Sequence, residues 1–426
     1  MRIGIDVTGL YITKAGIYYH SFNLLQHLLA LDSEHEFVLL DYAPVRGDRT
    51  LPFDLRSLES ERVSVAEVRG PRRYKLIDWK RMDFFGGRFT AQCVDAVLDQ
   101  PWKWWIARAA RRQLNAVLAQ LDVLHASDVT QFVPKGASLV STVHDLSPVL
   151  FPELHTPQNR ALFKRKMCYV QEQAQAIIAV SEHTKRDLVK VLAIPEERVH
   201  VVYNAAAPGY HPIRDRGEIS RVTRKYGVPG SGYILHVGTL EPRKNLVRLV
   251  EAYAVALDHC GDRVPPLVLA GGKGWLYEEI FHSVERLGLQ QRVIFTGFVD
   301  DEDLPALFNG ALFFVYPSLY EGFGIPVLEA MACGVPVITS NASSLPEIVG
   351  EAGVLVDPID AGALAVALMA LLDDLERRAA LRAAGLARAV LFSWEQAARE
   401  TLEVYAAAVR RRLTGSCTRG NGNEHN

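Results

Sequence analysis

The chain has 426 residues, of which 49% are hydrophobic, so it is long enough for about two domains and too apolar for a disordered protein. Its 47 Lys and Arg against 49 Asp and Glu give a net charge of −2, which gives no reason to expect nucleic acid as a partner. The 5 cysteines are scattered without a CxxC pair, which predicts reduced thiols in a cytoplasmic protein rather than disulfides or a zinc site.

We expect no segment of the sequence to act as a secretion signal or to cross a membrane. The first ten residues, MRIGIDVTGL, read as a buried strand and not as a secretion signal. The longest apolar run, at 361–372, lies between Asp360 and Asp373 and is shorter than the roughly 18 residues that a membrane span needs. We therefore predict a buried helix there.

Short apolar, β-rich segments alternate with helical ones along the chain. This alternation predicts an α/β fold with two doubly wound parallel sheets, each with ligand sites at the carboxyl ends of its strands. The predicted strands are 2–7, 36–41, 122–126, 138–143, 176–180 and 199–203 in the first half, and 233–237, 266–270, 292–296, 312–316 and 336–339 in the second.

The boundary between the two predicted domains falls near 204–218, where proline, glycine and charged residues interrupt the pattern. A last helix begins after Ser393, which with Gln396 makes a capping box. The predicted units are a first domain at 1–208, joined by the helix 393–413, a second domain at 209–392, and a disordered tail at 414–426.

Residues 69–113 differ from the rest of the chain in composition. Lys and Arg far outnumber Asp there, and Trp79, Trp102, Trp104 and Trp105 lie among them. Basic side chains mixed with tryptophan suit contact with an anionic membrane surface. The alternative is a long insertion whose tryptophans pack on their own domain.

The stretch LYEGFGIPVLEAMACGVPVITS places Glu321 in a loop and Glu329 in the helix that follows. Pro326 suits the first turn of that helix, where its missing N–H costs nothing. Gly322 and Gly324 let the backbone approach a ligand closely. Because the free amides of a helix start favour phosphate, we predict a phosphate-binding turn with the two glutamates accepting hydrogen bonds from hydroxyls on either side.

The two glutamates do not fit the carboxylate pair of a glycosidase. Eight residues of helix span about 12 Å. A retaining glycosidase needs its carboxyls about 5 to 5.5 Å apart, and an inverting one needs them under about 10 Å apart. The spacing favours two hydroxyl-binding points along an extended ligand. Solvated helix acids are the alternative, but Glu321 lies between Tyr320 and Gly322.

Arg243 and Lys244 follow the predicted strand 233–237 and precede a helix with an apolar face. Cations at the carboxyl end of a parallel strand neutralise a diphosphate. Such a pair alone is usually solvated. Together with the glycine and glutamate stretch, it predicts one site.

Two residues in the first half of the chain, His144 and Gly16, are also candidate ligand-binding residues. His144 follows the strand 138–143 and is predicted to hydrogen-bond a substrate, although a lone histidine is usually structural. Gly16 lies in the first strand-to-helix connection, where close backbone approach matters. That connection does not read as GxGxxG, so a dinucleotide fingerprint is absent.

Two further motifs are assigned structural roles. Asp301 and Asp303 resemble an acidic metal-binding pair, but they lie directly before a helix, where capping and the helix dipole explain them. The segment AGGKGW, at 270–275, lacks the spacing and the Ser or Thr of a phosphate loop and is predicted to be a turn.

Six features occur together along nearly the whole chain: Glu321 and Glu329 with seven residues between them, EPRKN (241–245), TVHDL (142–146), AVSEHTKRDL (179–188), TGFVDDEDLPALF (296–308) and FSWEQAA (392–398). In these motifs the chain resembles retaining glycosyltransferases of family 4, which have the two-domain GT-B fold. The resemblance implies two Rossmann-like domains that face each other across a cleft. The sequence departs from the family at KAGIYY (14–19), with one glycine fewer than usual, and at YNAAAPG (203–209), which lacks a glycine after Asn204.

The resemblance implies a role for each site residue. Glu329 would hold the nucleotide ribose, and Glu321 the transferred sugar. Arg243 and Lys244 would take the diphosphate, while His144 would contact the sugar near the reacting carbon. The implied catalytic residues are His144, Glu321, Arg243 and Lys244, and the implied nucleotide-sugar contacts are Gly16, Val299, Gly322, Phe323, Gly324, Ile325 and Glu329.

The same resemblance implies the reaction. In its EPRKN segment the chain most resembles bacterial mannosyltransferases that use GDP-mannose to build O-antigen or exopolysaccharide, which implies a saccharide or lipid-linked acceptor. The alternatives are a family 4 transferase that uses a UDP sugar, a sugar-nucleotide epimerase of the same fold, and a non-catalytic sugar-nucleotide-binding scaffold. The expected partners are a nucleotide sugar and the acceptor, with no metal and no other cofactor, at the inner face of the cytoplasmic membrane.

Overall fold

The structure, a computed structural model, describes residues 1–11, 16–31, 34–42, 51, 54–68, 112–126 and 136–420, the last six of these by their backbone alone. The predicted membrane-contact segment, 69–113, lies outside these ranges apart from Arg112 and Gln113. The end of the predicted tail, 421–426, lies outside them as well.

The first sheet has seven strands in the order β3-β2-β1-β4-β5-β6-β7. The pairings of β1 with β2, β1 with β4, β2 with β3 and β4 with β5 are all parallel. Its strands are β1 (Arg2–Asp6), β2 (Glu36–Tyr42), β3 (Val63–Val68), β4 (Val123–Ala126), β5 (Ser138–Val143), β6 (Ala176–Ala179) and β7 (Val199–Val201).

The second sheet has six strands in the order β10-β9-β8-β11-β12-β13, and all five of its pairings are parallel. Its centre is β8 and β11, so the loops after these two strands meet at one edge of the sheet. Its strands are β8 (Tyr233–Val237), β9 (Leu267–Ala270), β10 (Val293–Gly297), β11 (Ala311–Tyr316), β12 (Val337–Ser340) and β13 (Val354–Val356).

Helices connect the strands in both sheets, as parallel pairing requires. The α-helices that lie wholly within the described ranges are Gly16–Ala30, Ser147–Leu150, Pro157–Gln173, Glu182–Leu192, Arg216–Lys225, Leu246–Cys260, Glu278–Arg286, Leu304–Gly310, Ile325–Ala332, Leu345–Val349, Ala361–Asp373, Leu375–Ala389 and Trp394–Gly420.

The second sheet is buried on both faces, which explains the continuous apolar sequence of its strands. On β11, Phe313 and Val315 join one apolar cluster while Phe314 and Tyr316 join another. Successive side chains of a strand point to opposite faces, so each cluster fills one side of the sheet. The predicted buried helix Ala361–Asp373 covers one of these faces.

Two strands were not predicted from the sequence, and both lie at the edge of a sheet. In β3 the polar residues Ser64 and Glu67 interrupt the apolar ones, and β13 has only three residues. Edge strands are half exposed or short, so their sequences lack the continuous apolar run that marks a central strand. The other predicted strands agree with the structure to within two residues at each end.

The described chain divides into two compact units that cut across the predicted domains. The chain passes from the first sheet to the second between β7 and β8, and the predicted boundary at 208 lies between these two strands. By packing, residues that precede this boundary join the second unit: Thr184 donates a hydrogen bond to the Gly322 carbonyl at 3.2 Å. The first unit comprises Met1–Thr142, Glu172–Ile177 and Leu402–Asn426, and the second comprises Val143–Gln171 and Ile178–Thr401.

The last helix begins as predicted and ends later. The Gln396 amide donates to Ser393 Oγ at 3.0 Å, which is half of the predicted capping box. The sequence predicts an end at 413, but the helix continues to Gly420, and the Thr414 hydroxyl hydrogen-bonds back to the carbonyls of Arg410 and Arg411. Among the described residues, no helix is long and apolar enough to cross a membrane.

Candidate functional site

The loops after β8 and β11 bring Arg243, Lys244 and Glu321 together. The Leu319 amide donates to the Arg243 carbonyl at 2.9 Å, so the two loops are joined through their backbones. Asn245, with a φ of 60°, closes the first loop and donates from Nδ2 to the Pro317 carbonyl at 3.0 Å. The predicted site in the second half of the chain is therefore a compact cluster at the edge of the second sheet.

Lys244 is held from two sides. Its Nζ lies 2.6 Å from Glu321 Oε1 and 2.6 Å from the hydroxyl oxygen of Tyr316, and 4.8 Å from the centre of the Tyr316 ring. An ammonium group has three N–H donors, so these contacts leave one for a ligand.

Arg243 contacts the second carboxylate oxygen of Glu321. Its Nη1 lies 2.7 Å from Glu321 Oε2 and 2.8 Å from the Tyr320 carbonyl oxygen, and its Nη2 lies 2.6 Å from Glu241 Oε1. A guanidinium group has five N–H donors, so two remain after these contacts among the described residues. Both cations thus keep donors that suit the oxygens of a diphosphate.

The charges of this cluster fix its protonation. Burial opposes ionisation of Glu321, but the positive charges of Arg243 and Lys244 outweigh it and hold the Glu321 pKa at about 2. Burial, and then the neighbouring charge of Arg243, lower the pKa of Lys244. Burial also acts against the charge of Arg243, but Glu321 and Glu241 raise the Arg243 pKa well above its ordinary value. Glu321 is therefore an anion at neutral pH.

Gly322 follows Glu321 at a point where no side chain fits. A Cβ atom there would lie 1.7 Å from the carbonyl oxygen of His144. His144 therefore meets this loop through its backbone, as expected for a residue beside the site. The predicted contact of its side chain with a sugar stays a prediction.

The helix Ile325–Ala332 begins directly after the glutamate loop, with Pro326 in its first turn as predicted. Gly324, with a φ of 104°, is in a backbone conformation that glycine alone adopts without strain. The Phe323 side chain is 4% exposed and packs in the core beneath the loop, so Phe323 has only its backbone to offer a ligand. Ile325 is the first residue of the helix, whose free amides favour an anion.

Sequence reasoning missed two serines that fix the glutamate loop. Ser343 Oγ accepts a hydrogen bond from the Glu321 amide at 2.8 Å. Ser344 Oγ lies 3.0 Å from the Glu321 carbonyl oxygen and 2.9 Å from that of Phe323. The signal was the pair of serines directly before the helix Leu345–Val349, a position where hydroxyls commonly bond to backbone.

Glu329 has surroundings different from those of Glu321. It is 8% exposed, and burial, with the negative charge of Asp301, raises its pKa to about 8 while a hydrogen bond from Tyr210 acts in the opposite direction. Val299, predicted to line the base through its backbone, is buried in the adjoining core. At neutral pH Glu321 is therefore ionised, whereas the raised pKa of Glu329 favours its protonated, neutral form.

His236 on β8 was also missed. Its ring stacks on Tyr316, with centroids 5.4 Å apart, and its Nδ1 lies 3.0 Å from the Val315 carbonyl oxygen. Burial lowers its pKa to about 3, so the ring is neutral beneath Lys244. A histidine within an apolar strand carried no pattern that would single it out.

Asp303, directly before the helix Leu304–Gly310, forms an ion pair and does not cap the helix. Asp303 makes no side-chain hydrogen bond to the helix start. Its Oδ2 lies 2.6 Å from Lys225 Nζ and 2.9 Å from the Tyr226 hydroxyl oxygen. In the described part of the chain, no group of His, Cys, Asp and Glu side chains is arranged to hold a metal ion.

Gly16 belongs to the first unit, where it begins the helix Gly16–Ala30. A Cβ atom there would meet no described atom within 4 Å. Its predicted approach to the diphosphate stays a prediction.

The chain matches known family models over most of its length. Residues 16–209 match the model described as Glycosyltransferase Family 4, and residues 220–388 match the one described as Glycosyl transferases group 1. In fold it is similar to the Anabaena protein Alr3699/HepE, solved in complex with UDP and glucose, with a TM-score of 0.66 and 21% identity over 95% of this chain and 99% of that one.

Two relatives in Escherichia coli have higher sequence identity to this chain, over a shorter part of it. O-antigen chain mannosyltransferase B is 39% identical over 296 residues, which are 69% of this chain and 77% of that protein. Serotype-specific mannosyltransferase WbdA is 33% identical over 286 residues, which are 66% of this chain but only 35% of that longer protein. The chain therefore belongs to glycosyltransferase family 4 and is a glycosyltransferase with the GT-B fold.

Proposed function

We propose that the protein is a retaining mannosyltransferase that moves mannose from GDP-mannose to a saccharide or lipid-linked saccharide in the synthesis of O-antigen or a related cell-surface polysaccharide. The observation that carries this proposal is the buried Glu321–Lys244–Arg243 cluster in a chain 39% identical to an O-antigen chain mannosyltransferase. The cations suit the donor diphosphate, and the carboxylate suits the hydroxyls of the transferred sugar.

The proposed reaction exchanges one bond at the anomeric carbon for another. The bond from that carbon to the diphosphate oxygen breaks, and a bond to the acceptor hydroxyl oxygen forms on the same face. The hydroxyl proton passes to the leaving diphosphate oxygen, so no protein base is needed. Arg243 and Lys244 then act by stabilising the charge that develops on the diphosphate.

The roles of the remaining site residues follow the same proposal. Glu329 would bind the ribose hydroxyls and the backbone at Val299 would line the base, while the helix start at Gly324 and Ile325 would face phosphate. His144 would contact the transferred sugar. Gly16 would approach the diphosphate through its backbone.

A thermal-shift panel tests the donor. The purified protein is heated with GDP-mannose, GDP-fucose, UDP-glucose, UDP-galactose, UDP-N-acetylglucosamine and dTDP-rhamnose, and Lys244→Ala serves as the variant with a weakened site. A ligand at about 100 times its Kd adds about 2.7 kcal/mol of stability. We expect the largest rise in Tm with GDP-mannose and a smaller rise in the variant. A rise with a UDP sugar alone would show that the donor is that UDP sugar and not GDP-mannose, and no rise with any of the six nucleotide sugars would contradict the proposed function.

We further propose that residues 69–113 bring the enzyme to the inner face of the cytoplasmic membrane, where a lipid-linked acceptor would lie. Their mixture of basic residues and tryptophans supports this proposal. Flotation with anionic phosphatidylglycerol vesicles should recover the protein, whereas neutral phosphatidylcholine vesicles should recover little. Equal recovery with both, or none with either, would contradict membrane contact.

A further inference from the structure

A second polar and aromatic group lies beside the turn that carries Arg243. The Leu240 amide donates to the Gly272 carbonyl at 2.9 Å, and the Gly274 amide donates to the Leu240 carbonyl at 3.0 Å. A Cβ atom on Gly274 would lie 2.7 Å from Thr239 Cγ2. The segment that ends at Trp275, predicted to be only a turn, is thus packed directly on the loop before Arg243.

Trp275 is fixed against the segment that follows β5. Its Nε1 donates to the Leu154 carbonyl at 2.7 Å. Its ring centroid lies 5.6 Å from that of His155, with the planes tilted by 33°. The indole is half-buried, so part of it stays open to a ligand.

His155 has a defined tautomer. Asp145 Oδ1 accepts hydrogen bonds from the Ser147 amide at 2.9 Å and from Ser147 Oγ at 2.8 Å. Because the Ser147 hydroxyl donates its only hydrogen to Asp145, its oxygen accepts a hydrogen bond from His155 Nε2, which lies 3.0 Å away. His155 Nδ1 is therefore an acceptor, and it has no hydrogen-bond partner among the described residues.

The surroundings of His155 determine the protonation of its ring and therefore the chemistry open to Nδ1. Burial lowers the His155 pKa, partly offset by the negative charge of Asp145, while the charge of Arg243 lowers it further. The ring is neutral at pH 7 and a weak base. It can orient a hydroxyl by accepting its hydrogen bond, but it is a poor group to remove the proton.

We propose that Trp275 and His155 form the subsite for the terminal sugar of the acceptor. A pyranose ring packs on the indole, and one of its hydroxyls donates a hydrogen bond to His155 Nδ1. An aromatic surface with one placed polar group is the chemistry that recognises a sugar, which has apolar ring faces and hydroxyl edges. Asp145 and Ser147 are positioning residues that fix the tautomer. This inference rests on the proposed function and locates its acceptor.

The test separates acceptor binding from donor binding. Octyl α-glycosides of mannose, glucose, galactose and N-acetylglucosamine are titrated by calorimetry into the protein saturated with GDP. The variants are Trp275→Ala, Trp275→Phe, His155→Phe and Ser147→Ala, with the exposed His282→Ala as the matched control. GDP binding to each protein, measured separately, reports an intact fold and donor site.

We expect one or more octyl glycosides to bind the wild type, and their affinity to fall about tenfold in Trp275→Ala and in His155→Phe, which keeps a ring but loses Nδ1. Trp275→Phe should lose less, since it keeps an aromatic face, and His282→Ala and all GDP affinities should stay within about twofold. If GDP binds but no glycoside does, or if glycosides bind Trp275→Ala and His155→Phe as well as the wild type, the inference is wrong while the proposed function stands. Absence of any nucleotide binding would instead overturn the proposed function.

Discussion

Lys244 Nζ lies 2.6 Å from Glu321 Oε1, and each side chain is only 8% exposed. Residues 77 positions apart in sequence thus form a buried ion pair at the carboxyl ends of two adjacent strands, β8 and β11. Arg243 Nη1 lies 2.7 Å from the second carboxylate oxygen, so one carboxylate holds both cations in place. A preorganised pair of cations is what stabilisation of a leaving diphosphate requires.

Replacing Lys244 with alanine should lower turnover at saturating donor by about 100-fold or more, because one fixed donor to the leaving group is lost. Arg243 still pairs with Glu321, so the variant should fold. Lys225→Ala, which removes an exposed lysine from its pair with Asp303, is the control and should keep its activity. Turnover of Lys244→Ala within about twofold of the wild type would remove Lys244 from the mechanism.

Glu321→Gln should destabilise the fold by about 3 to 5 kcal/mol, because it removes the carboxylate that Lys244 and Arg243 share and leaves Arg243 with Glu241 alone. The pKa of Glu321 is lowered from 4.5 to about 2, so its contribution is complete above pH 4.5 and is lost as the pH falls through about 2. Urea unfolding of the wild type and the variant should therefore show a gap in the free energy of unfolding that narrows below pH 4.5. The exposed Glu376→Gln is the control, and a gap independent of pH would contradict the charge pairing.

Nucleotide binding should release protons near pH 7 through Glu329. Its pKa is raised to about 8, so the free protein holds this carboxyl protonated at pH 7. Ribose hydroxyls donate hydrogen bonds and favour the carboxylate, so binding lowers that pKa and expels a proton. Calorimetry of GDP binding in two buffers of different ionisation enthalpy measures the release.

The control for this measurement is Glu329→Gln, which has no proton to lose and should show a smaller release. Equal proton release in both proteins would show that Glu329 does not change its charge on binding.

In the free protein the same raised pKa lowers stability as the pH rises from 4.5 to about 8, so Glu329→Gln should gain stability relative to the wild type over that range.

Gly322→Ala should lower both stability and activity, because the new Cβ would lie 1.7 Å from the His144 carbonyl oxygen, which is backbone and cannot yield easily. Such overpacking costs typically about 1 to 3 kcal/mol. The same change at Gly230, where a Cβ has room at 3.8 Å from Ser220, is the control. A variant as stable and active as the wild type would mean that the loop at Gly322 is free to move away from His144.

Much of the fold was predictable because the central strands are buried on both faces and read as apolar runs. The two edge strands β3 and β13 were not predicted, since their short or half-exposed sequences carry no continuous apolar run. The segment that follows β5 was assigned to the first domain, but its contacts with the Glu321 loop depend on packing that spacing does not encode.

The residues of the site likewise include some that the sequence predicted and some that it did not. Arg243, Lys244 and Glu321 were predicted to share a site because each has a charge at a strand end or beside glycine. His236, Ser343, Ser344 and the His155–Trp275 pair were missed, because each takes its place from a tertiary hydrogen bond or ring contact. Asp303 was noticed but misread: capping was the local explanation, and a lysine 78 residues away is the partner.

The most direct test of the proposed function is to incubate the protein with GDP-mannose and octyl α-mannoside and to follow GDP release and product formation, with the anomeric configuration of the product read by NMR. The account predicts one GDP released for each mannose transferred, with the α configuration of the donor retained, and a rate about 100-fold lower in Lys244→Ala. A β-linked product, or transfer that is equally fast from a UDP sugar, would contradict it.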